Sequence, residues 1–96
     1  MATLPQEEID RALAGDLSAW HQTGDAITRE VRAPSFLAGI GLVQRVADAA
    51  EEMDHHPDVD IRYTTLTFTL TTHSEGGLTR NDLDLAGRID RLAADL

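Results

Sequence analysis

The sequence has no cysteine, few basic or aromatic side chains and no long apolar run, and each absence excludes a class of protein. Without cysteine the 96-residue chain has no disulfide framework and no thiolate metal site, which fits a cytoplasmic location. Eight basic residues stand against 17 acidic ones, and the net charge of −9 argues against nucleic acid as a partner. No apolar run approaches the roughly 18 residues of a membrane span, and the first residues do not pair a basic flank with an apolar core as a targeting segment would. These features predict a cytoplasmic protein that binds neither nucleic acid nor membrane.

The length predicts one domain over residues 1–96. A domain of this size buries only about two-thirds of its unfolded surface, so a homodimer or homotetramer would add useful burial. Only four aromatic residues serve the whole domain. We therefore expect Trp20 and Phe36 to lie in the core rather than to stack on a ligand.

Hydrophobic periodicity predicts three helices. The first spans residues 4–14, and the second begins at Pro34-Ser35 and ends near Met53 or Asp54, because Pro57 disfavours helical geometry at the preceding residue. The third follows a capping-box sequence, Thr79-Arg80-Asn81-Asp82. The second helix has an apolar stripe with 4-3-4-3 spacing, formed by Phe36, Ile40, Val43, Ala47 and Ala50 and widened by Leu42, Val46 and Met53. The stripe of the third is formed by Leu85, Ile89, Leu92 and Leu96.

Alternating patterns predict four strands in two hairpins. The first hairpin spans Trp20 to Ala33 and turns at Gly24-Asp25, and the second pairs residues 59–63 with residues 65–73. The element order is α-β-β-α-β-β-α. It predicts an α+β domain, in which a four-stranded antiparallel sheet has helices packed on one face.

Three of the four histidines fall within nineteen residues, as His55, His56 and His73, and Asp82 follows nine positions later. If the last two strands pair around residues 63–65, the chain returns His73 to the neighbourhood of His55 and His56. Imidazole titrates near neutrality, so such a cluster suits proton transfer. Asp82 could then accept a hydrogen bond from one imidazole and set its tautomer.

The predicted end of the second helix favours protonated imidazole at His55 and His56. Exposed carbonyl groups create partial negative charge there, and the neighbouring carboxylates of Glu51, Glu52 and Asp54 act in the same direction. One histidine could therefore donate a proton while another accepts one.

Structural interpretations compete with this one. A His-His-Pro sequence can simply end a helix, Asp82 can simply cap one, and His21 on an edge strand is typical of an exposed polar residue. Three histidines and an aspartate could also bind zinc, and a metal-dependent hydrolase would follow. Adjacent histidines usually point apart, however, and the chain has neither a His-x-His nor a His-x₃-His pair.

The spacing of these residues resembles, without a gap, the signature of the pterin-4a-carbinolamine dehydratase family. The pattern reads Glu51, three residues, His55-His56-Pro57, five residues, Tyr63, nine residues, His73, eight residues, Asp82. The resemblance extends through Thr72-His73, Gly77-Leu78-Thr79, Leu85-Ala86 and Ile89, and more loosely to Trp20.

The resemblance implies a carbon-oxygen hydro-lyase. It would dehydrate 4a-hydroxytetrahydrobiopterin or a related pterin to the quinonoid dihydropterin, as part of tetrahydrobiopterin recycling, without a metal or organic cofactor. The active-site histidines of the family, which with Pro57 would also contact the pterin, correspond to His55, His56 and His73. Its supporting carboxylates correspond to Glu51, Asp54 and Asp82.

The resemblance also implies roles and an oligomer. His55 and His73 would bracket the hydroxyl and N5 of the pterin, while His56 would bind the pterin and share in proton transfer. Family members form homodimers or homotetramers. This chain has Val59 where animal members have tryptophan, and Asn81 where an arginine is common, which bears on substrate affinity.

The alternative from a different class is a non-catalytic relative that binds or assembles another protein, as dehydratase-like assembly factors of ribulose bisphosphate carboxylase do. The presence of all three histidines together with Asp82 argues against it, because a binding module has no use for the whole set.

Overall fold

A computed structural model describes residues 2–96 and contains three helices and one four-stranded sheet in the predicted order. The helices are α1 (Gln6–Ala14), α2 (Phe36–Met53) and α3 (Arg80–Ala93). The strands are β1 (His21–Thr23), β2 (Ala26–Arg32), β3 (Asp58–Arg62) and β4 (Thr65–Leu70). They lie in the order β1-β2-β4-β3, and all neighbours are antiparallel. The predicted α+β fold is confirmed.

The two faces of the sheet differ as the alternating sequence predicts. Ile27 pairs with Leu70 and Val31 with Leu66, so these four side chains share one face, and all are buried in the core with residues of α2 and α3. The threonines of β4 point to the opposite face, where they are half-buried. The helices therefore cover one side of the sheet only.

Helix α2 buries one side of the predicted apolar stripe, the side that holds Leu42, Val46 and Ala50. Phe36, which we expected in the core, is 49% exposed. The buried residues of the helix are Gly39, Leu42, Val46, Ala49 and Ala50. A Cβ atom on Gly39 would lie 3.4 Å from the Ala33 Cβ and 3.5 Å from a Leu66 methyl carbon, so the helix approaches the sheet closely at this glycine. Both sides of the stripe have helical spacing, and hydrophobicity alone therefore could not show which side is covered.

Several element ends also differ from the prediction. Helix α1 begins at Gln6 with Pro5 as its N-cap, and Leu96 lies beyond α3 with 37% of its surface exposed. Strand β3 ends before Tyr63, whose φ of 53° places it in the hairpin turn. Strand β4 ends at Leu70, and the chain then forms a 3₁₀ turn over His73–Glu75. Beyond Leu70, main-chain hydrogen bonds within this turn take the place of hydrogen bonds between strands.

Asp90 of α3 ties the helix to the sheet. Its Oδ1 accepts hydrogen bonds from Trp20 Nε1 at 2.8 Å and from Arg29 Nη1 at 2.5 Å. Trp20 is buried, as predicted, and the Arg29 side chain is only 22% exposed. Among residues 2–96, Arg29 Nε has no hydrogen-bond partner, and the ion pair of the guanidinium is with Asp90.

We expect Asp90→Ala to lower the free energy of unfolding by about 2 kcal/mol, because it leaves a largely buried cation without a counter-ion. Urea unfolding monitored by tryptophan fluorescence measures the change. Asp95→Ala, at an exposed position near the same end of the chain, is the matched control and should stay within about 0.5 kcal/mol of the wild type. Equal midpoints for the two variants would contradict the role assigned to Asp90.

Within residues 2–96 no helix combines the length and the apolarity needed to cross a bilayer.

Candidate active site

The end of α2 fixes the backbone that carries the first histidine. Asp54 adopts a left-handed conformation, with φ 50° and ψ 44°, which aspartate tolerates better than most residues do. The His55 N–H donates to the Ala50 carbonyl at 3.0 Å, and the Asp54 N–H to the Glu51 carbonyl at 3.3 Å. This pair of bonds is a Schellman motif, so the helix end itself holds His55 in place.

His55 is buried against a carboxylate from the start of α3. Its Nε2 lies 2.6 Å from Asp82 Oδ1, and Asp82 is fully buried. The other oxygen, Asp82 Oδ2, accepts from the Thr79 N–H at 2.9 Å and from Thr72 Oγ1 at 2.7 Å. Asp82 therefore has two functions, since one oxygen completes the predicted capping box of α3 and the other binds His55.

His56 points away from this buried network. Its Nε2 pairs with Glu51 Oε2, and both side chains are exposed. The two adjacent histidines thus face different carboxylates, as expected for neighbours at a helix end. Within residues 2–96 no three histidine, aspartate or glutamate side chains are grouped closely enough to hold a metal ion.

The second hairpin returns the chain to the histidines, as predicted. Asp58 pairs with Thr69, so the residues that follow β4 lie beside those that precede β3. Thr72 reaches Asp82 directly, and His73 is the next residue along the chain. The His73 side chain is exposed, and it has no hydrogen bond or ion pair within residues 2–96.

An apolar groove lies beside His56, between α2 and the start of β3. It has a volume of about 220 Å³ and is lined by Val43, Val46, Ala47, Ala50, Glu51, His56, Pro57 and Val59. Its only charged or titratable groups, those of Glu51 and His56, pair with each other. The groove therefore offers an apolar surface at the edge of the histidine cluster.

The predicted site residues fall into three groups. The structure joins His55 to Asp82 and His56 to Glu51, and it places His73 one residue from Thr72, which is bonded to Asp82. Asp54 shapes the helix end through its backbone, and its exposed side chain joins neither pair.

Sequence reasoning missed the hydroxyl group of Thr72. The signal was available, because Leu66, Phe68 and Leu70 face the core at every second position and residue 72 continues that series. A threonine at an inward position has a hydroxyl that needs a buried partner, and the capping aspartate provides one.

Comparisons with known proteins identify a sequence family for this chain. Residues 2–92 match the sequence family described as pterin 4 alpha carbinolamine dehydratase. Two curated proteins that have the name pterin-4-alpha-carbinolamine dehydratase as a provisional assignment are similar to this chain over nearly their full length. The one from Nocardia farcinica is 59% identical over 90 residues, 94% of each chain. The one from Mycobacterium avium is 54% identical over 90 residues, 94% of this chain and 95% of its own.

Two solved structures are also similar. A transcriptional coactivator/pterin dehydratase from Brucella melitensis matches with a TM-score of 0.90 and 33% identity, covering 95% of this chain and 98% of its own. A pterin dehydratase-like protein, described as a RuBisCO assembly factor in the alpha-carboxysome, matches with a TM-score of 0.63 and 20% identity. That match covers 77% of this chain and 86% of the other, and it shows a shared fold alone.

Proposed function

Because the chain belongs to the pterin 4 alpha carbinolamine dehydratase family, we propose that it dehydrates a 4a-hydroxytetrahydropterin to the quinonoid dihydropterin and water. The substrate would be 4a-hydroxytetrahydrobiopterin or a close relative, released in the cytoplasm by an aromatic amino acid hydroxylase. The observation that carries the proposal is the buried pair of His55 and Asp82, with Thr72, the residue before His73, bonded to the same carboxylate. No metal or organic cofactor takes part in the proposed reaction.

The pairing with Asp82 gives His55 a defined tautomer. A carboxylate only accepts hydrogen bonds, so the imidazole nitrogen that faces it, Nε2, carries a proton. In the neutral ring the lone pair is then on Nδ1, which has no hydrogen-bond partner among residues 2–96. We assign to His55 Nδ1 the removal of the proton from N5 of the pterin, as in sites where an aspartate orients a basic histidine.

His73 would supply the other proton. As an imidazolium it can donate to the 4a-hydroxyl, which leaves as water while the C4a–N5 double bond forms. His55 gains one proton and His73 loses one in each turnover, and exchange with solvent restores both. The exposure of His73 suits this role, because the leaving water and the returning proton need access to solvent.

The groove beside His56 would hold the pterin. A flat bicyclic ring can bury its apolar face against Ala50, Pro57 and Val59, while His56 at the edge contacts the polar atoms of the ring and shares in proton transfer. Glu51 would orient His56. Valine at position 59 gives an apolar wall without aromatic stacking.

A homodimer or homotetramer is the proposed assembly. Several large apolar side chains outside the groove are exposed on α2 and around the edge strand β3, namely Phe36, Leu37, Ile61 and Tyr63. A chain of 96 residues has little other means of burying them.

The wild-type assay tests the proposed function. An aromatic amino acid hydroxylase and a tetrahydropterin generate the 4a-hydroxy compound in place, and its decay is followed by ultraviolet absorbance. We expect catalytic amounts of the protein to accelerate the decay at least about 10²-fold over buffer, the scale of general acid-base catalysis. Decay at the buffer rate would instead favour the non-catalytic alternative, a binding or assembly role on the same fold.

A further inference from the structure

Thr72 is bonded to the site through its side chain. It is a largely buried residue, and its hydroxyl lies 2.7 Å from Asp82 Oδ2 and 2.8 Å from Thr79 Oγ1. Because the carboxylate can only accept, Thr72 donates its single hydroxyl proton to Asp82 and accepts the proton of Thr79. The direction of both bonds is thereby fixed.

This hydroxyl determines how the Asp82 carboxylate is turned. Oδ2 receives two donors, the Thr72 hydroxyl and the Thr79 N–H, and this holds Oδ1 toward His55 Nε2. Without the Thr72 hydroxyl, the Thr79 N–H would be the one remaining donor to Oδ2, and the carboxylate would be less restrained about the Cβ–Cγ bond. The second donor strengthens that restraint and, through Oδ1, the orientation of the histidine.

The main chain of Thr72 builds the turn that carries His73. Its N–H donates to the Gly77 carbonyl at 3.0 Å, and its carbonyl accepts from the Glu75 and Gly76 N–H groups, each at 3.0 Å. His73 lies inside this turn. Thr72 is therefore linked to His55 through the Asp82 carboxylate and to His73 through the main chain of the turn.

We propose that Thr72 is a positioning residue that sets the tautomer and orientation of His55 through Asp82 and aligns it with His73, a role that rests on the dehydratase function proposed above. Thr72 does not contact the reacting atoms. Its hydroxyl acts only through the carboxylate, and its backbone acts only through the turn.

Thr72→Val tests the role, because valine keeps the shape of threonine and removes the hydroxyl. We expect kcat to fall about 10-fold while KM stays within about twofold, since the groove that would bind the pterin is unchanged. Thr72→Ser restores the hydroxyl and should recover kcat to within about threefold of the wild type. Thr67→Val, on the open face of β4, is the matched control and should leave kcat unchanged.

Nuclear magnetic resonance of the imidazole nitrogens supplies a measurement that does not depend on activity. Neutral His55 should carry its proton on Nε2 in the wild type and in Thr72→Ser, and Thr72→Val should shift population toward the Nδ1-protonated tautomer. If Thr72→Val keeps both the wild-type tautomer and the wild-type kcat, the positioning role is wrong, even if the variant melts at a lower temperature. If the wild type has no dehydratase activity, the proposed function fails, while the tautomer measurement still decides whether Thr72 orients His55.

Discussion

Replacing either His55 or His73 with alanine should lower the rate of 4a-hydroxytetrahydropterin dehydration at least about 10²-fold, because each variant removes one of the two groups that transfer protons. The measurement is kcat in the coupled hydroxylase assay. The fourth histidine supplies the matched control: His21 is exposed on β1, outside the cluster, and His21→Ala should retain full activity. Unchanged rates in both test variants would rule out the proposed acid-base mechanism.

The two variants should differ in stability, and this separates chemistry from folding. His73 is exposed without a partner among residues 2–96, so His73→Ala should change the free energy of unfolding by less than about 0.5 kcal/mol. His55→Ala removes the donor to a buried carboxylate and should cost about 1–3 kcal/mol. His55→Gln offers an N–H donor to Asp82 but no titratable group, so it should recover part of the stability and none of the activity.

Asp82→Ala should have the largest effect on stability, a loss of about 3 kcal/mol in the free energy of unfolding. The substitution removes an N-terminal cap, worth about 1 kcal/mol. It also leaves two buried donors, the Thr72 hydroxyl and the His55 ring, without an acceptor, and each unsatisfied buried group costs about 1–3 kcal/mol. Guanidinium unfolding measures the loss, provided that the variants are compared at equal protein concentration.

Asp82→Asn tests the catalytic role of the same residue with a smaller loss of stability. An amide has one accepting oxygen, whereas both carboxylate oxygens of Asp82 accept hydrogen bonds. Oδ2 accepts from the Thr79 N–H of the capping box, and Oδ1 accepts from His55. When the amide oxygen accepts from the Thr79 N–H, the amide nitrogen faces His55 Nε2 and favours the tautomer that is protonated at Nδ1. Activity should therefore fall while α3 stays capped. Asp84→Asn, two residues further along α3 and exposed, is the control for the lost charge. Full activity in Asp82→Asn would show that the carboxylate does not orient His55.

The sequence predicted most of the architecture because the strongest signals are local. Alternation in β4 placed Leu66 and Phe68 on the buried face, and the capping box located the start of α3. Pro57 and the helix-ending residues before it predicted the end of α2, which the structure has at Met53. Each of these signals depends on residues a few positions apart, so no knowledge of the tertiary structure was needed.

The errors arose where local patterns permit two outcomes. Phe36 and Leu42 both belong to the broad apolar stripe of α2, and only close packing against the sheet at Gly39 decides which side of it is covered. His73 continues the spacing of a strand, but main-chain bonds across residues 72–77 turn the chain out of the sheet. Competition between equally regular local patterns is resolved by long-range contacts.

For the candidate site, the sequence by itself determined the participants: three histidines, three carboxylates and a hairpin that returns one histidine to the other two. Only the tertiary structure decided the pairing. It set His55 against Asp82, turned His56 outward to Glu51, left the side chain of Asp54 outside both pairs and introduced the hydroxyl of Thr72. The physical reason is that a hydrogen bond depends on the direction and separation of two groups within a few tenths of an ångström. Those quantities are fixed by how α2, β4 and α3 pack together, and the spacing of residues along the chain does not contain them.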